Sequence, residues 1–206
     1  MPALTRERIL STAVAMADQD GLDAVTLRRI AGELGVHVTS LYNHVATRDA
    51  VTDGIVESLL DEARLPTAAL GWEEWVRSFF LAMGTLAATH PGAFAALQRR
   101  PVQGPRAAAS FEVALAAFAD AGLGPEDAYN AVKATALTAL MVGMERSMST
   151  RAPLAETAID ALPREGFPQF HGLSDLHDLE STWSFSLETL VAGLQVQVRA
   201  RTTSRG

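Results

Sequence analysis

The stretch Thr26–Val45, TLRRIAGELGVHVTSLYNHV, most constrains the fold because it predicts two helices joined by a tight turn. The hydroxyl of Thr26 can cap the free N–H groups of the first helix. Gly35 can adopt the positive φ that such a turn needs, and a second helix is predicted from His37 to His44. The arrangement is typical of a helix-turn-helix unit, which lays its second helix in the major groove of DNA. Helical hairpins of this kind also occur in proteins that do not bind DNA.

Apolar spacing predicts which sides of these two helices are buried. Leu41 and Val45, four residues apart, are expected to face inward, and Val36 is expected to be buried just after the turn. The residues left on the outside are small, polar or aromatic and include no acid: Val38, Thr39, Ser40, Tyr42, Asn43 and His44. Such a surface can approach phosphates and base edges without repulsion.

Flanking segments predict that this motif belongs to a small helical unit. Thr5–Asp20 has an apolar face at helical spacing, and Gly21 is expected to end that helix. A longer helix is predicted to start at Thr47 or Asp49 and to run to Ala63. It would connect the unit to the remainder of the chain.

These residues resemble the DNA-binding domain of the tetracycline-repressor (TetR) family of bacterial transcription regulators, over Arg8–Leu60. The matching motifs are Ile9-Leu10-x-x-Ala13, Gly21, Thr26-Leu27-Arg28-x-Ile30-Ala31, Leu34-Gly35-Val36, Leu41-Tyr42-x-His44-Val45 and Arg48-Asp49-Ala50. The resemblance implies an all-α fold with a three-helix DNA-binding domain and a larger helical domain for ligand binding and dimerisation. We expect the first domain at 1–48, a linking helix at 49–65, the second domain at 66–200 and a frayed tail at 201–206.

The same resemblance implies which residues face an operator. Arg28 and Thr39 are expected at base edges, and Ser40, Tyr42, His44 and Arg48 mainly at phosphates. The complete predicted DNA-binding set is Thr26, Arg28, Val38, Thr39, Ser40, Tyr42, Asn43, His44 and Arg48. Val38 and Asn43 depart from the commoner residues of the family, which suggests a distinct operator preference.

A net charge of −7 argues against strong binding to nucleic acid. The acidic residues lie mostly outside the motif, since 26–48 contains Arg28, Arg29 and Arg48 against Glu33 alone. A small positive face gives weak binding unless it is presented twice. We therefore expect a homodimer on a near-palindromic double-stranded DNA operator.

The C-terminal part is predicted to be helical, and its short motifs resemble the regulatory domain of the tetracycline repressors themselves. That resemblance implies dimerisation through helices at about Glu126–Ser149 and Asp175–Arg199. The residues expected in the interface lie on one apolar stripe of the last helix: Trp183, Leu187, Leu190 and Leu194. The alternative is that this stripe packs against the protein's own core. A short helix is also predicted near Glu156–Leu162.

A small hydrophobic effector is expected between the helices of this domain. Candidate lining residues are Phe79, Met83, His90, Phe111, Leu115, Phe118, Tyr129, Met141 and Met144, because methionine and aromatic side chains suit flat apolar ligands. The alternative is that they simply form the core. Ala96 stands where tetracycline-binding members place a metal-chelating histidine, so tetracycline is not expected to be the effector.

Other classes of function have weaker support in the sequence. The five histidines are scattered and no phosphate loop or catalytic order appears, so neither an enzyme, a metal site nor a cofactor is expected. His171 and His177 near Asp175 and Asp178 have the wrong spacing for a helical metal site and fit a polar loop better. A chain with no cysteine and no long apolar window predicts a cytoplasmic protein without membrane contact. A helical interaction module, or an activator without an effector, is the alternative function.

Overall fold

All regular secondary structure is helical in the residues that the computed structural model of the protein describes, which are 3–99, 104–151, 162–171 and 179–203. The first helices, α1 (Arg6–Asp20), α2 (Leu27–Leu34) and α3 (Val38–Leu41), form a unit that we call the head. Thr5 and Thr26 cap α1 and α2, because their side chains accept hydrogen bonds from the N–H groups of Arg8 and Arg29. The predicted three-helix unit is therefore confirmed.

Gly35 makes the turn between α2 and α3. Its φ of 66° lies in the left-handed region, which a side chain disfavours, as the sequence predicts. The helix after the turn is shorter than the predicted His37–His44, because α3 ends at Leu41 and a turn follows. Branched and short polar residues such as Val38 and Asn43 disfavour a longer helix there. Leu41 and Val45 are buried as predicted, whereas Val36 is only half-buried.

The remaining helices build a larger unit that we call the body. They are α4 (Arg48–Glu62), which leaves the head, followed by α5 (Trp72–Thr89), α6 (Ala96–Arg99), α7 (Pro105–Asp120), α8 (Pro125–Arg151), α9 (Pro168–His171) and α10 (Leu179–Thr203). Short 3₁₀ segments stand at Leu22–Ala24 and Ala93–Ala95. The predicted helix near Glu156–Leu162 lies almost wholly outside the described residues.

Aromatic side chains fill the core of the body. Trp75 is fully buried, stacks on Phe79 at a centroid distance of 5.0 Å and donates its indole N–H to the hydroxyl of Ser110 at 3.2 Å. A buried tryptophan thus has the polar partner that it needs. On the opposite side of α5, Phe80 meets Trp183 edge-on at 5.3 Å.

The apolar stripe on the last helix faces this core. Trp183 and Leu194 are buried, and Leu187 and Leu190 are half-buried against the core. Packing within the chain therefore accounts for Trp183 and Leu194, whereas Leu187 and Leu190 keep accessible surface, so the assignment of the stripe to a dimer interface stays a prediction. The helix also continues to Thr203, into the segment from residue 201 that the sequence predicts to be frayed. No helix among the described residues is long and apolar enough to cross a membrane.

Candidate nucleic-acid interface and effector cavity

The candidate DNA-binding surface is the outer side of α2, the turn and α3. Thr39, Tyr42, Asn43 and His44 are exposed, and the Tyr42 ring keeps 53% of its surface accessible. No acidic side chain lies between residues 36 and 48. The two remaining outward predictions, Val38 and Ser40, are half-buried and so contribute less surface.

The three arginines between residues 26 and 48 differ in their partners. Arg29 pairs with Asp20 and donates to the Ala24 carbonyl at 3.3 Å, so it fastens α2 to the end of α1. Arg48 lies 3.6 Å from the Asp23 carboxylate. Arg28 is exposed and forms no ion pair within the described part of the chain. Its assignment to a base edge stays a prediction, and its exposure leaves the guanidinium accessible.

Thr26, also in the predicted DNA-binding set, has a structural role that the sequence anticipated. Its hydroxyl oxygen accepts the N–H of Arg29 at 3.2 Å and so begins the helix that carries Arg28. The contact fixes the first turn of α2 while the residue itself stays exposed.

His90 joins the head to the body and is not among the residues that line the two cavities described below. Its Nδ1 lies 2.7 Å from the Asp18 carboxylate on α1, and its Nε2 lies 2.9 Å from the Glu62 carboxylate on α4. Burial lowers the pKa of His90, but the hydrogen bonds and charges of Asp18 and Glu62 outweigh this effect and leave the pKa raised. The Asp18 carboxylate also accepts the backbone N–H groups of Gly92 and Ala93 at 3.0 and 2.9 Å.

A cavity of about 700 Å³ opens between α5, α7 and α8. Five predicted effector residues line it: Phe79, Met83, Phe111, Leu115 and Tyr129. Leu60 and Leu65, at and just beyond the end of α4, contribute to the same wall. We call this space the effector cavity. Its volume is within the range usual for small-molecule sites.

The other predicted effector residues lie elsewhere. Phe118 is fully buried and stacks on Trp72 at 5.4 Å, so it belongs to the core. Met141 and Met144 line a second cavity of about 800 Å³, which borders Asp23 of the head. The sequence therefore predicted the aromatic wall of the effector cavity but merged two separate spaces.

Sequence reasoning missed the polar residues of the effector cavity, which are Gln98, Arg99 and Lys133. Lys133 is the single lysine of the chain and stands 5.7 Å over the ring of Tyr129. The available signal was a lone lysine in an alanine-rich stretch of α8, between Val132 and Ala134. Arg99 had no such signal, because its place on the wall depends on contacts distant in sequence.

No group of three potential metal ligands occurs among the described residues. The ring of His171 lies 2.9 Å from the Leu162 carbonyl oxygen. The predicted polar loop around His177 lies outside the described residues.

Comparison with known proteins places this geometry in a family. Residues 9–52 match the family model of "Bacterial regulatory proteins, tetR family". An HTH-type transcriptional regulator of Saccharopolyspora erythraea is 38% identical over 127 residues, which cover 61% of this chain and 54% of that protein. That match thus spans about half the length of the relative. Tetracycline repressor protein class D of Escherichia coli is 26% identical over 97% of this chain and 93% of its own.

A solved structure extends the similarity to the whole fold. The Streptomyces coelicolor TetR family protein ActR, in complex with actinorhodin, superposes with a TM-score of 0.78 at 26% identity, covering 96% of this chain and 99% of that one. The head and the body of this chain are therefore arranged as in that solved structure. Residues 9–52 therefore match the tetR family of bacterial regulatory proteins, and the whole chain has the fold of a solved TetR family protein.

Proposed function

We propose that the protein is a DNA-binding transcription regulator, acting as a repressor that a small hydrophobic effector releases from a near-palindromic operator. The observation that carries this proposal is the outer face of α2 and α3, where Arg28 and Thr39 are exposed and acids are absent from residues 36–48. An exposed arginine without an ion-pair partner in the described residues is free to bond the O6 and N7 atoms of guanine.

Release by an effector follows from the position of the effector cavity. Leu60 and Leu65 line it, so the cavity borders the helix that leaves the head. A ligand that binds better to one orientation of α4 changes the spacing of two heads. The ligand then lowers the affinity of the protein for its operator. By linkage, the operator lowers the affinity for the ligand by the same factor. The similarity to a TetR family protein solved in complex with actinorhodin supports a small-molecule ligand for this fold.

A homodimer supplies the second head. The outer face of α10 carries large apolar side chains, because Phe185 is 74% exposed and Val196 is 63% exposed. Gly193 on the same face has open space around it, which permits close approach of another helix. This face, and not the buried stripe of Trp183 and Leu194, is the one that we assign to the dimer.

A gel shift with the DNA that flanks the gene tests the proposal. We expect a sequence-specific complex, and a nuclease footprint of that complex should show protection of two half-sites about one helical turn apart. A helical interaction module would give no specific complex. An activator would bind the DNA but would raise transcription in a reconstituted assay, where a repressor lowers it.

A further inference from the structure

We propose that the effector cavity selects a planar aromatic ligand that carries a negative charge, with Lys133 as the residue that recognises the charge. The inference rests on the proposed function, because it names the chemistry of the effector. It comes from the composition of the cavity wall, which combines stacked rings with cations.

The apolar part of the wall suits a flat aromatic body. Phe79 and Phe111 stand 5.9 Å apart with their planes tilted by 42°, and Trp75 backs both rings. Met83 adds a flexible thioether, which adapts to an irregular aromatic edge. A rigid ring system buries a large area against such a wall and loses little conformational entropy.

The charged side chains among the described lining residues of the cavity are all positive. Arg99 and Lys133 line the cavity, Gln98 is the neutral polar group beside them, and no acidic side chain is among the described lining residues. The Lys133 ammonium is exposed and lies over the Tyr129 ring at the α8 side. A cationic ligand would meet repulsion here. An anion would gain a charge-assisted hydrogen bond next to an apolar wall.

Arg99 has a second role, because it pairs with Asp23 of the head at 2.9 Å. Arg99 therefore adds positive potential to the cavity, but the carboxylate of Asp23 partly neutralises its charge. Lys133 forms no ion pair within the described residues, so a bound anion does not have to compete with a protein carboxylate for it. For this reason the charge preference is assigned to Lys133.

Isothermal titration calorimetry with two matched probes tests the inference. Anthraquinone-2-carboxylate and anthraquinone-2-carboxamide have the same planar body and differ in charge. We expect the carboxylate to bind the full-length protein about tenfold more tightly, as one charge-assisted hydrogen bond allows. Lys133→Met should abolish that ratio by weakening the carboxylate alone, and Lys133→Arg should keep most of it. Lys133 is exposed, so circular dichroism should show both variants folded.

Three results overturn the inference: equal binding of the two probes, no measurable binding of the carboxylate, or an unchanged ratio in the Lys133→Met variant. Operator binding by the ligand-free protein is measured in parallel to separate this inference from the proposed function. A protein that binds its operator but prefers the carboxamide contradicts only the ligand chemistry. A protein that prefers the carboxylate but binds no operator contradicts only the proposed function.

Discussion

The guanidinium of Arg99 lies 2.9 Å from the carboxylate of Asp23, so a residue on the wall of the effector cavity is paired with the head. Asp23 is also 3.6 Å from Arg48, which the sequence assigns to an operator phosphate. One exposed carboxylate is thus shared by a cavity residue and a predicted DNA contact. The Arg99–Asp23 and Arg48–Asp23 pairs are exposed to solvent, so each contributes less than about 1 kcal/mol to the stability of the fold. Their effect is therefore expected on the affinity for DNA.

Asp23→Asn should strengthen DNA binding. The substitution removes a negative charge beside the candidate interface and releases Arg48 toward phosphate. We expect the slope of log K against log salt to steepen by up to about one unit. Fluorescence anisotropy at several salt concentrations measures this slope. Asp120→Asn, at the far end of α7, removes the same charge away from the head and should leave the slope unchanged. An unchanged slope in Asp23→Asn would show that Arg48 does not contact DNA.

Stability should depend on pH through His90. Its pKa is raised in the folded protein because the bonds to Asp18 and Glu62 outweigh the effect of burial. The stabilisation is therefore complete below the unfolded pKa of about 6.5 and is lost as the pH rises through the higher folded value. His90→Gln should remove this part of the pH dependence of the free energy of unfolding, measured by denaturant titration. His37→Gln, at an exposed position, is the control. Identical pH profiles for wild type and His90→Gln contradict the assignment.

Gly92→Ala should loosen the junction of head and body. A Cβ at Gly92 would lie 1.9 Å from the carbonyl oxygen of Ala17, so the backbone of α1 must move. We expect a loss of roughly 1–3 kcal/mol or more in the free energy of unfolding. Gly32→Ala provides the opposite case, because Gly32 is in α2 with nothing within 4 Å of the added atom. It should stabilise the protein by up to about 1 kcal/mol. The same sign for both variants would refute this account of the junction.

The head was predictable because its signals are local. Thr26 caps α2, Gly35 makes the turn, and Leu41 faces inward, all within one short stretch of sequence. The end of α3 was not predicted, since the inward spacing of Leu41 and Val45 favoured a longer helix than a segment with Asn43 supports. Helix propensity decided the boundary there.

The helices of the body could be predicted from the sequence, but the full set of residues that meet at its cavity could not. Phe79 and Phe111 were predicted to line a cavity, and they do, because both lie on the inner faces of amphipathic helices. His90 was assigned to the same cavity, but its partners Asp18 and Glu62 come from distant segments that no periodicity reveals. The stripe of Trp183 could not be assigned to core or partner, because both environments require the same apolar residues.

Phe185→Glu should split the dimer. The side chain is 74% exposed on the outer face of α10, and a charge there would be desolvated in an interface. Light scattering should give the mass of a dimer for the wild type and the 21.9 kDa of one chain for the variant. Leu81→Glu is the matched control, because Leu81 is 70% exposed on α5 and lines a different cleft, with Glu62 and Thr85. A monomeric wild type, or a dimeric Phe185→Glu variant, would place the interface elsewhere.

The most direct test of DNA binding is a comparison of two duplexes by fluorescence anisotropy at physiological salt. One duplex carries the site protected in the nuclease footprint, and the other carries the same bases in scrambled order. We expect binding to the site to be about a thousandfold tighter or more. Arg28→Ala should reduce that preference by roughly 1–3 kcal/mol. Arg106→Ala, which removes an arginine of the body paired with Asp61, should not change it. Equal affinity of the wild type for the two duplexes would contradict the account.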